Sequence, residues 1–533
     1  MTDSHKDIRG VNVLKKHWVL LALVMLLAGC TPQAAPAEDP QVNQEVPPAE
    51  SAPLETNDFT HQPDPNSPFL LLEEDRELAK TLDQYDITAS LNSDDMTIEA
   101  KQTIAYINRE DKPLEELVLH VYPNAYKTRE TAPALFGDES AIYPNGFEPG
   151  QIDFSLVQVD GQKAFHEIQA VYDTILRISL DQALEPGDQA QIDLEWVLTI
   201  PPSLDRLGYG DRHINLGNWY PVMAVYDHQG WNVDPYYKIG DPFYSEVANY
   251  QVTFTAPKEY TIASTGILRS LEETDTSKTW AFEAQIMRDF AIIAGQGMKM
   301  NVQDQDGVTV RTYYYDTHSM SDRMADQASV QSVEVFNQFF GQYPYKELAV
   351  VETGFPSGME YPGIVMISED YYKTSRIDRL VGVIVHEIAH QWWYGIVGND
   401  EVDEAWLDES LTVYSEALYN EIYQGDNGYS GTISYLHRRY FDVKSEISDE
   451  NLVRPVNDFD SWTDYGALIY RKGALFMDQV RNEYGYEETL AFMADYYQRC
   501  KFGVATTDKF IAVGKEHFGQ SFVDLADKWL YNK

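Results

Sequence analysis

Two histidines and two glutamates in this chain have the spacing of a catalytic metal site. His386 and His390 are four residues apart, so on a helix their imidazoles lie on the same face, one turn from each other. Glu409 follows nineteen residues after the second histidine and can supply a carboxylate from a second helix. Three protein ligands and one open position for water are what a catalytic zinc requires. Glu387 lies between the histidines, where it can act on that water as a general base.

The neighbouring residues favour a metal site over two incidental histidines on a helix. The mostly apolar run at residues 379–385 suits a helix buried at the floor of a cleft, and we expect this helix to continue through residues 391–394. The segment that contains Glu409 is also amphipathic and helix-like. The pattern therefore predicts a metal-dependent hydrolase with one zinc ion per chain, although cobalt or manganese could also occupy such a site.

Two further motifs extend this pattern along the chain. The sequence Gly-Met-Glu-Tyr-Pro-Gly lies upstream at residues 358–363, and Tyr-Arg-Lys-Gly lies downstream at residues 470–473. With HEIAHQWW at residues 386–393 and WLDES at residues 406–410, their order and spacing resemble the gluzincin aminopeptidases of the aminopeptidase N and leukotriene hydrolase type. The resemblance extends from about residue 80 to the end of the chain.

The resemblance implies a role for each motif. Tyr470 would donate a hydrogen bond to the oxyanion that develops during peptide hydrolysis. Glu360 would bind the protonated α-amine of the substrate, which restricts cleavage to peptides with a free N-terminus. Gly358 and Met359 would present backbone with which the peptide pairs as an added strand. Tyr361 stands where the family motif has asparagine.

Two departures from the family pattern keep alternatives open. Most members carry a second amine-binding Gln or Glu in the β domain, but the comparable stretch here, residues 217–222, contains no acidic residue. Asp408 also replaces the usual asparagine beside the third ligand. A metallo-endopeptidase of the same fold is therefore one alternative to a zinc aminopeptidase, and a catalytically silent peptide-binding lipoprotein is another. The intact Glu387 and Tyr470 argue against the silent protein.

The start of the chain has the features of an export signal. Basic residues precede an apolar run of ten at residues 18–27, which is too short to span a bilayer. The run ends in Leu-Ala-Gly-Cys, typical of a bacterial lipobox, so we expect removal of residues 1–29 and lipidation of Cys30. An ordinary signal peptide and an uncleaved anchor are the alternatives. More than one acyl chain would hold the protein stably at the cell membrane, facing outside the cytoplasm.

Residues 30–78 are predicted to form a disordered tether, because their first part is rich in Pro, Ala and Glu and poor in large apolar side chains. The formal net charge of −45 excludes nucleic acid as a partner. The chain has two cysteines, and if Cys30 is lipidated then Cys500 has no partner for a disulfide.

Hydrophobic patterning divides the rest of the chain into two parts. Residues 79–297 contain short alternating segments and predict an all-β saddle or sandwich domain. Residues 298–533 begin with a strand at residues 308–314 and continue with helical segments, including one at residues 486–500. This order suits a thermolysin-like α+β zinc metallopeptidase domain. The chain ends about 60 residues past Tyr470, which leaves no room for the helical C-terminal domain of larger family members.

Overall fold

A computed structural model describes residues 61–169, 172–315 and 320–533. The predicted signal, Cys30 and most of the predicted tether lie outside these residues. Within them the fold class is confirmed, since a β-rich N-terminal domain precedes an α+β domain. No helix in the described part of the chain is long and apolar enough to cross a membrane.

The described end of the predicted tether is folded. Phe69 and Leu70 are buried, and Leu70 forms an isolated β-bridge with Tyr345. A helical turn follows, and Asp75 within it forms an ion pair with Lys501 at 2.7 Å. The prediction of disorder as far as residue 78 is therefore wrong for this segment, because its apolar side chains have a surface to pack against.

The N-terminal domain is built mainly from β-strands. Alternate residues of its strands are buried, as in β1, because one face of each strand packs on the core and the other faces solvent. The strands are β1 Gln84–Asn92, β2 Thr97–Ile107, β3 Leu114–His120, β4 Gln151–Val159, β5 Gln162–Lys163, β6 His166–Ile168, β7 Ile175–Leu184, β8 Gln189–Thr199, β9 Leu207–Tyr209, β10 His213–Leu216, β11 Val222–Met223, β12 Tyr226–Asp227, β13 Gly230–Trp231, β14 Ala248–Pro257, β15 Tyr260–Ser264, β16 Ile267–Glu273, β17 Ser277–Met287 and β18 Ile292–Gln296.

These strands form one large sheet and several smaller ones. The large sheet has the order β16-β17-β14-β1-β2-β8-β4-β5, in which β1 and β14 pair in parallel and the other neighbours are antiparallel. Two four-stranded sheets have the orders β15-β18-β10-β9 and β11-β3-β7-β6, and β12 pairs with β13. The domain also contains two short helices, α1 Arg76–Ala79 and α2 Glu139–Ile142.

The second domain combines a five-stranded sheet with a set of helices. Its sheet has the order β19-β20-β21-β23-β22, so β22 is an edge strand. The strands are β19 Lys299–Gln305, β20 Val308–Tyr314, β21 Glu347–Thr353, β22 Gly358–Met359 and β23 Ile364–Ser368. The helices are α3 Met320–Phe339, α4 Ile377–Ala389, α5 Trp406–Gln424, α6 Asp426–Phe441, α7 Trp462–Tyr465, α8 Gly473–Tyr484, α9 Tyr486–Cys500, α10 Thr507–Phe518 and α11 Gln520–Leu530. The predicted strand at residues 308–314 and helix at residues 486–500 are both confirmed.

A buried arginine joins the two domains. Arg288, at the end of β17, is 1% exposed, and its guanidinium donates hydrogen bonds to the backbone carbonyls of Ser245, Tyr394 and Gly503. The bonds to Tyr394 and Gly503 are both 3.0 Å long and reach into the second domain. Because the guanidinium passes close to Gly398, a Cβ atom there would lie 2.1 Å from Cζ of the arginine.

The helix that carries both histidines is shorter than predicted. It ends at Ala389, and the chain then turns, with Gly395 donating to the carbonyl of His390 over 2.9 Å. The prediction that helix continues through residues 391–394 is therefore wrong. The hydrogen bond from Arg288 holds the carbonyl of Tyr394 in this turn.

Candidate active site

The predicted metal ligands converge in the second domain. His386 projects from the last turn of α4, His390 directly follows this helix, and Glu409 projects from the first turn of α5. The two Nε2 atoms are 3.1 Å apart, and Oε2 of Glu409 lies 3.3 Å and 3.5 Å from them. A tetrahedral zinc with ligand bonds of about 2.0–2.1 Å would separate its ligand atoms by about 3.3 Å. The donor set and its spacing therefore fit a zinc ion.

Oε2 of Glu409 supports the same conclusion. This oxygen is buried and has no hydrogen-bond partner among the described residues. A buried carboxylate oxygen without a partner is costly, and a cation at this point would satisfy it.

Two carboxylates orient the histidine rings by contacting their Nδ1 atoms, on the side away from the metal-ligand atoms. Oε1 of Glu416 lies 2.7 Å from Nδ1 of His386, and Oδ1 of Asp408 lies 2.5 Å from Nδ1 of His390. Each ring can then donate its Nδ1 proton outward and leave Nε2 free for the metal. The sequence did not lead us to Glu416, although its position seven residues after Glu409 puts both side chains on one face of α5.

The electrostatics of the site favour positive charge. Burial lowers the pKa of His386, but the carboxylates of Glu409 and Glu416 more than offset this and raise it to about 10. Burial likewise acts against ionisation of Glu409, yet His390 and His386 hold the pKa of its carboxyl well below the usual range. The surrounding carboxylates thus stabilise a cation in the place where the three ligand atoms meet.

Glu387 faces the same centre. Burial raises the pKa of its carboxyl to about 7. The charge of Glu409 also raises this pKa, whereas His386 and His390 lower it. Its position depends on Gly358 of β22, since a Cβ atom on that residue would lie 1.9 Å from Oε1 of Glu387. The glycine of the upstream motif therefore makes room for the candidate general base.

Tyr470 reaches the site from a π-helix. The segment Gly466–Lys472 is wound more widely than an α-helix, a feature often found at functional sites. The hydroxyl of Tyr470 donates to Oε1 of Glu409, and its ring stacks on that of His386 with centroids 6.0 Å apart. The structure thus brings the predicted oxyanion donor next to the metal ligands.

The other residues of the downstream motif hold this segment in place. A Cβ atom on Gly473 would lie 1.8 Å from Oγ of Ser410, so the glycine allows the segment to pack closely on α5. Lys472 is buried and donates to the backbone carbonyl of Glu450 over 2.5 Å. The motif therefore fixes the distance between Tyr470 and Glu409.

Glu360 follows the edge strand and faces the metal ligands. It is 4% exposed, and Oε1 has no hydrogen-bond partner among the described residues. One of its oxygens lies within 4.8 Å of ligand atoms of both Glu387 and His390. Burial raises the pKa of this carboxyl. An ammonium group is the partner that would satisfy the free oxygen and favour the ionised form.

Gln391 holds the backbone around Glu360. Its Oε1 accepts from the backbone amide of Gly363 at 2.8 Å, and its Nε2 donates to the carbonyls of Glu360 and Tyr361. The glutamine directly after the second histidine thus positions the upstream motif, a role that the sequence did not reveal.

Tyr361 links the upstream motif to the N-terminal domain. Its buried hydroxyl donates to Oδ1 of Asn218 over 2.6 Å, and Nδ2 of Asn218 donates to Asp289 over 2.8 Å. A Cβ atom on Gly217 would lie 2.1 Å from this hydroxyl. The stretch at residues 217–222 therefore anchors the motif rather than supplying an acidic ligand.

The acidic side chain that the N-terminal domain contributes is Asp241. One oxygen each from Asp241, Glu360 and Glu409 lie within 4.8 Å of one another. Arg206 forms an ion pair with Asp241 and also donates to Sδ of Met359 over 3.1 Å. Asp241 lies in a loop about twenty residues beyond the stretch that the family pattern indicates, so spacing alone did not identify it.

These groups line a cavity of about 610 Å³ between the two domains. Phe136 of the N-terminal domain and Trp462 of α7 meet at its wall with their rings in an edge-to-face contact, 5.2 Å between centroids. A cavity of this size can enclose a small ligand.

The second domain resembles a known peptidase family. Residues 325–529 match the Peptidase family M1 domain. The match covers 205 of the 533 residues of the chain. The resemblance to the gluzincin aminopeptidases is thereby confirmed, and the family supports a zinc metallopeptidase function.

Similar sequences occur in several aminopeptidases. Aminopeptidase N of Streptomyces lividans is 25% identical over 305 residues, which is 53% of this chain and 35% of that protein. Human aminopeptidase B is 28% identical over 213 residues, 36% of this chain and 32% of that protein. Leukotriene A-4 hydrolase of Xenopus laevis is 28% identical over 199 residues, 36% of this chain and 31% of that protein. The chain spans about a third of the length of the curated relatives it matches.

A solved structure shares the fold of both domains. The M1 zinc metallopeptidase of Deinococcus radiodurans is 18% identical, with a TM-score of 0.62 over 84% of this chain and 93% of that one. A mutant of the same Deinococcus protein, bound to a Tyr-Ser-Ala substrate, matches with a TM-score of 0.59 at 18% identity over 84% of this chain and 93% of that one. The two-domain fold predicted from the sequence is therefore shared with these solved structures.

Proposed function

We propose that this protein is a zinc-dependent aminopeptidase that removes N-terminal residues from peptides. One observation carries the proposal. The free, buried oxygen of Glu360 belongs to a carboxyl group that lies within 4.8 Å of Glu387 and His390. A substrate amine held by this carboxyl would keep its own carbonyl beside the metal ligands, because the two groups are only one Cα apart. The bond in position for attack is then the first peptide bond.

Residues of both domains would bind the amine. Glu360 comes from the motif after β22, and Asp241 comes from the N-terminal domain. Asp241 would be the second amine-binding acid, and its closeness to Glu360 supports this role. Binding of an ammonium group between two buried carboxylates is strong as long as all the charges remain paired.

The remaining residues would carry the hydrolysis. His386, His390 and Glu409 would hold one zinc ion, which lowers the pKa of a water and polarises the scissile carbonyl when bound. Glu387 would take a proton from the attacking water and later deliver it to the leaving amine, as a carboxyl whose pKa is raised by burial can do. Tyr470 would turn its hydroxyl from Glu409 to the developing oxyanion, which stabilises the transition state more than the planar amide.

The substrate backbone would add to the edge of the sheet. β22 pairs with β23 on one side and has no strand on the other among the described residues. An extended peptide can hydrogen-bond to such an edge. The Deinococcus enzyme that shares this fold was solved with the peptide Tyr-Ser-Ala, which supports a peptide as the substrate.

The test compares substrates that differ only in their N-terminus. The zinc-loaded protein should hydrolyse aminoacyl anilides and short peptides with a free amine and ignore the same compounds after N-acetylation. Mass spectrometry of the peptide products should show release of single N-terminal residues. Efficient cleavage of acetylated peptides at internal bonds would instead favour the metallo-endopeptidase, and no cleavage at all would favour the silent peptide-binding protein.

We also propose that Cys30 is lipidated and anchors the protein at the cell membrane, facing outside the cytoplasm. The lipobox sequence at residues 27–30 supports this location. In the native host, Cys30→Ser should move the protein from the membrane fraction to a soluble or unprocessed form, measured by fractionation and intact mass. A processed, membrane-bound Cys30→Ser protein would contradict the proposal.

A further inference from the structure

The wall of the active-site cavity carries two arginines that form no ion pair in the described part of the chain. Arg439 of α6 and Arg471 of the π-helix Gly466–Lys472 both line the cavity. Neither forms an ion pair or a hydrogen bond with a described residue. Arg454 and Arg481, in the same region of the domain, do form ion pairs, with Asp464 and Glu421 at 2.8 Å and 2.6 Å.

The chain has 85 acidic and 40 basic residues. Arg438 also forms no ion pair with a described residue, so what distinguishes Arg439 and Arg471 is that both line the cavity. Arg471 is half-buried; burial lowers the pKa of its guanidinium and the charge of Arg439 lowers it further. The opposing groups are the hydroxyls of Tyr435 and Tyr470, and no carboxylate is among them. An anion bound between these two guanidinium groups, one half-buried and one exposed, would relieve their repulsion.

A third arginine also lines the cavity. Arg379 of α4 lines it and lies over the ring of Tyr371 at 5.4 Å, without an ion pair in the described part of the chain. The acidic groups of the same cavity lie mainly at the metal ligands. Glu416 lines the cavity and pairs with His386, and the exposed Asp378 precedes Arg379 in the sequence. The cavity wall therefore carries arginines in addition to the carboxylates around the metal ligands.

This charge pattern matches a short peptide with two free ends. We propose that Arg439 and Arg471 bind the C-terminal α-carboxylate of the substrate, and that the enzyme prefers short peptides with a free C-terminus. The proposal rests on the proposed function, which puts the substrate amine at Glu360. A guanidinium pairs with a carboxylate through two parallel hydrogen bonds, so it recognises this group better than a neutral amide. A cavity of about 610 Å³ suits a small peptide rather than a folded protein.

Binding can be measured without turnover. In zinc-loaded protein carrying Glu387→Gln, calorimetry would give Kd values for alanyl peptides of two to six residues, each as the free acid and as the C-terminal amide. We expect the acid to bind at least about tenfold more tightly than the amide at the length that spans the cavity, as for one charge-assisted interaction. The preference should be smaller for longer peptides, whose C-terminus lies beyond the arginines.

Substitutions of the two arginines then test whether they cause the preference for the free acid over the amide. Arg439→Gln with Arg471→Gln should bring the ratio of the two Kd values close to one. Arg438→Gln is the matched control, because Arg438 adjoins Arg439 on α6 but does not line the cavity, and it should keep the ratio of the parent protein. Thermal unfolding of each variant would show that the fold is retained.

Three results would overturn the proposal. Equal binding of acid and amide at every length would exclude a carboxylate subsite, and so would a ratio unaffected by the double substitution. Tight binding of an amidated peptide that contains aspartate would show that the arginines recognise an acidic side chain instead. These outcomes are independent of which bond the unsubstituted enzyme cleaves, so failure here differs from failure of the aminopeptidase assignment.

Discussion

The carboxylate of Asp408 lies 2.5 Å from Nδ1 of His390, on the side of the imidazole opposite the metal-ligand group. The next residue in the sequence, Glu409, faces Nε2 of the same ring at 3.5 Å. Two adjacent residues on α5 thus hold one histidine from both sides. The aspartate that departs from the family pattern has a definite structural role, since a carboxylate accepts the Nδ1 proton more strongly than a neutral amide oxygen.

Replacing Asp408 should therefore weaken metal binding. Asp408→Ala removes the hydrogen-bond acceptor, and loss of such a partner typically lowers metal affinity by about 10- to 100-fold. Asp408→Asn should have a smaller effect, because its side-chain oxygen still accepts. The measurement is the zinc affinity of each variant by competition with a chelator. Equal affinities for all three proteins would mean that the contact does not orient the ring.

A methyl group on Gly358 should reduce turnover without removing zinc. Gly358→Ala introduces a Cβ atom 1.9 Å from Oε1 of Glu387, so the general base must move. We expect kcat to fall by at least about tenfold, since the position of a proton acceptor contributes that much or more. Gly431→Ala is the control, because nothing lies within 4 Å of a Cβ there and alanine favours the helix. Full activity of Gly358→Ala would contradict the role assigned to this glycine.

Substitutions of Glu387 and Tyr470 should lower the rate of hydrolysis without removing the metal. Glu387→Gln and Tyr470→Phe should both retain about one zinc per chain, measured by atomic absorption, because neither residue is a ligand. Tyr470→Phe should lower kcat far more than it changes KM, since its hydrogen bond forms mainly in the transition state. A fully active Tyr470→Phe protein would reduce the tyrosine to a packing role.

The two proposed amine-binding carboxylates should contribute unequally to kcat/KM. Glu360→Ala should lower kcat/KM for substrates with a free amine by at least about 100-fold, or roughly 3 kcal/mol. Asp241→Asn should lower kcat/KM by a smaller factor, about tenfold, because Arg206 already pairs with this carboxylate. Neither change should alter zinc content. Steady-state kinetics with an aminoacyl anilide give both values, and an Asp241→Asn enzyme with unchanged kcat/KM would exclude Asp241 from amine binding.

Asp289 should make stability depend on pH. Burial raises the pKa of its carboxyl from 3.8 to about 6, although Tyr220 and the amide of Phe290 donate to it. Between these pKa values the folded protein binds more protons than the unfolded chain, so the contribution of Asp289 to stability falls as pH rises through this range. From pH 5 to pH 8, the free energy of unfolding of the wild type should fall by about 1 kcal/mol relative to that of Asp289→Asn. Urea unfolding at the two pH values measures this difference, and a constant difference would refute the shifted pKa.

The parts of the site that depend on local spacing could be predicted from the sequence. His386 and His390 share a helix face because they are four residues apart, and Tyr470 and Glu360 stand in short motifs. The structure brings all of these side chains together. Their roles in catalysis stay predictions until the substitutions above are tested.

The parts that depend on distant contacts could not be predicted in this way. Asp241 approaches Glu360 only because the N-terminal domain folds over the cavity, and their separation of 119 positions in the sequence hides the relationship. The end of α4 was misjudged for the same reason. Arg288 holds the turn after α4 but is 106 residues from Tyr394. The hydrophobic periodicity near the histidines therefore cannot indicate this contact.

The same Arg288 limits how this protein can be redesigned. Its guanidinium bonds three carbonyls that come from both domains, away from solvent. A chain divided near residue 298 would separate Arg288 from the carbonyls of Tyr394 and Gly503 and expose these formerly buried polar groups on both pieces, so neither half is a suitable recombinant fragment. Chimeras that exchange whole domains between relatives would face the same mismatch. Changes in substrate preference are better sought by exchanging side chains along the cavity wall, where the backbone framework stays intact.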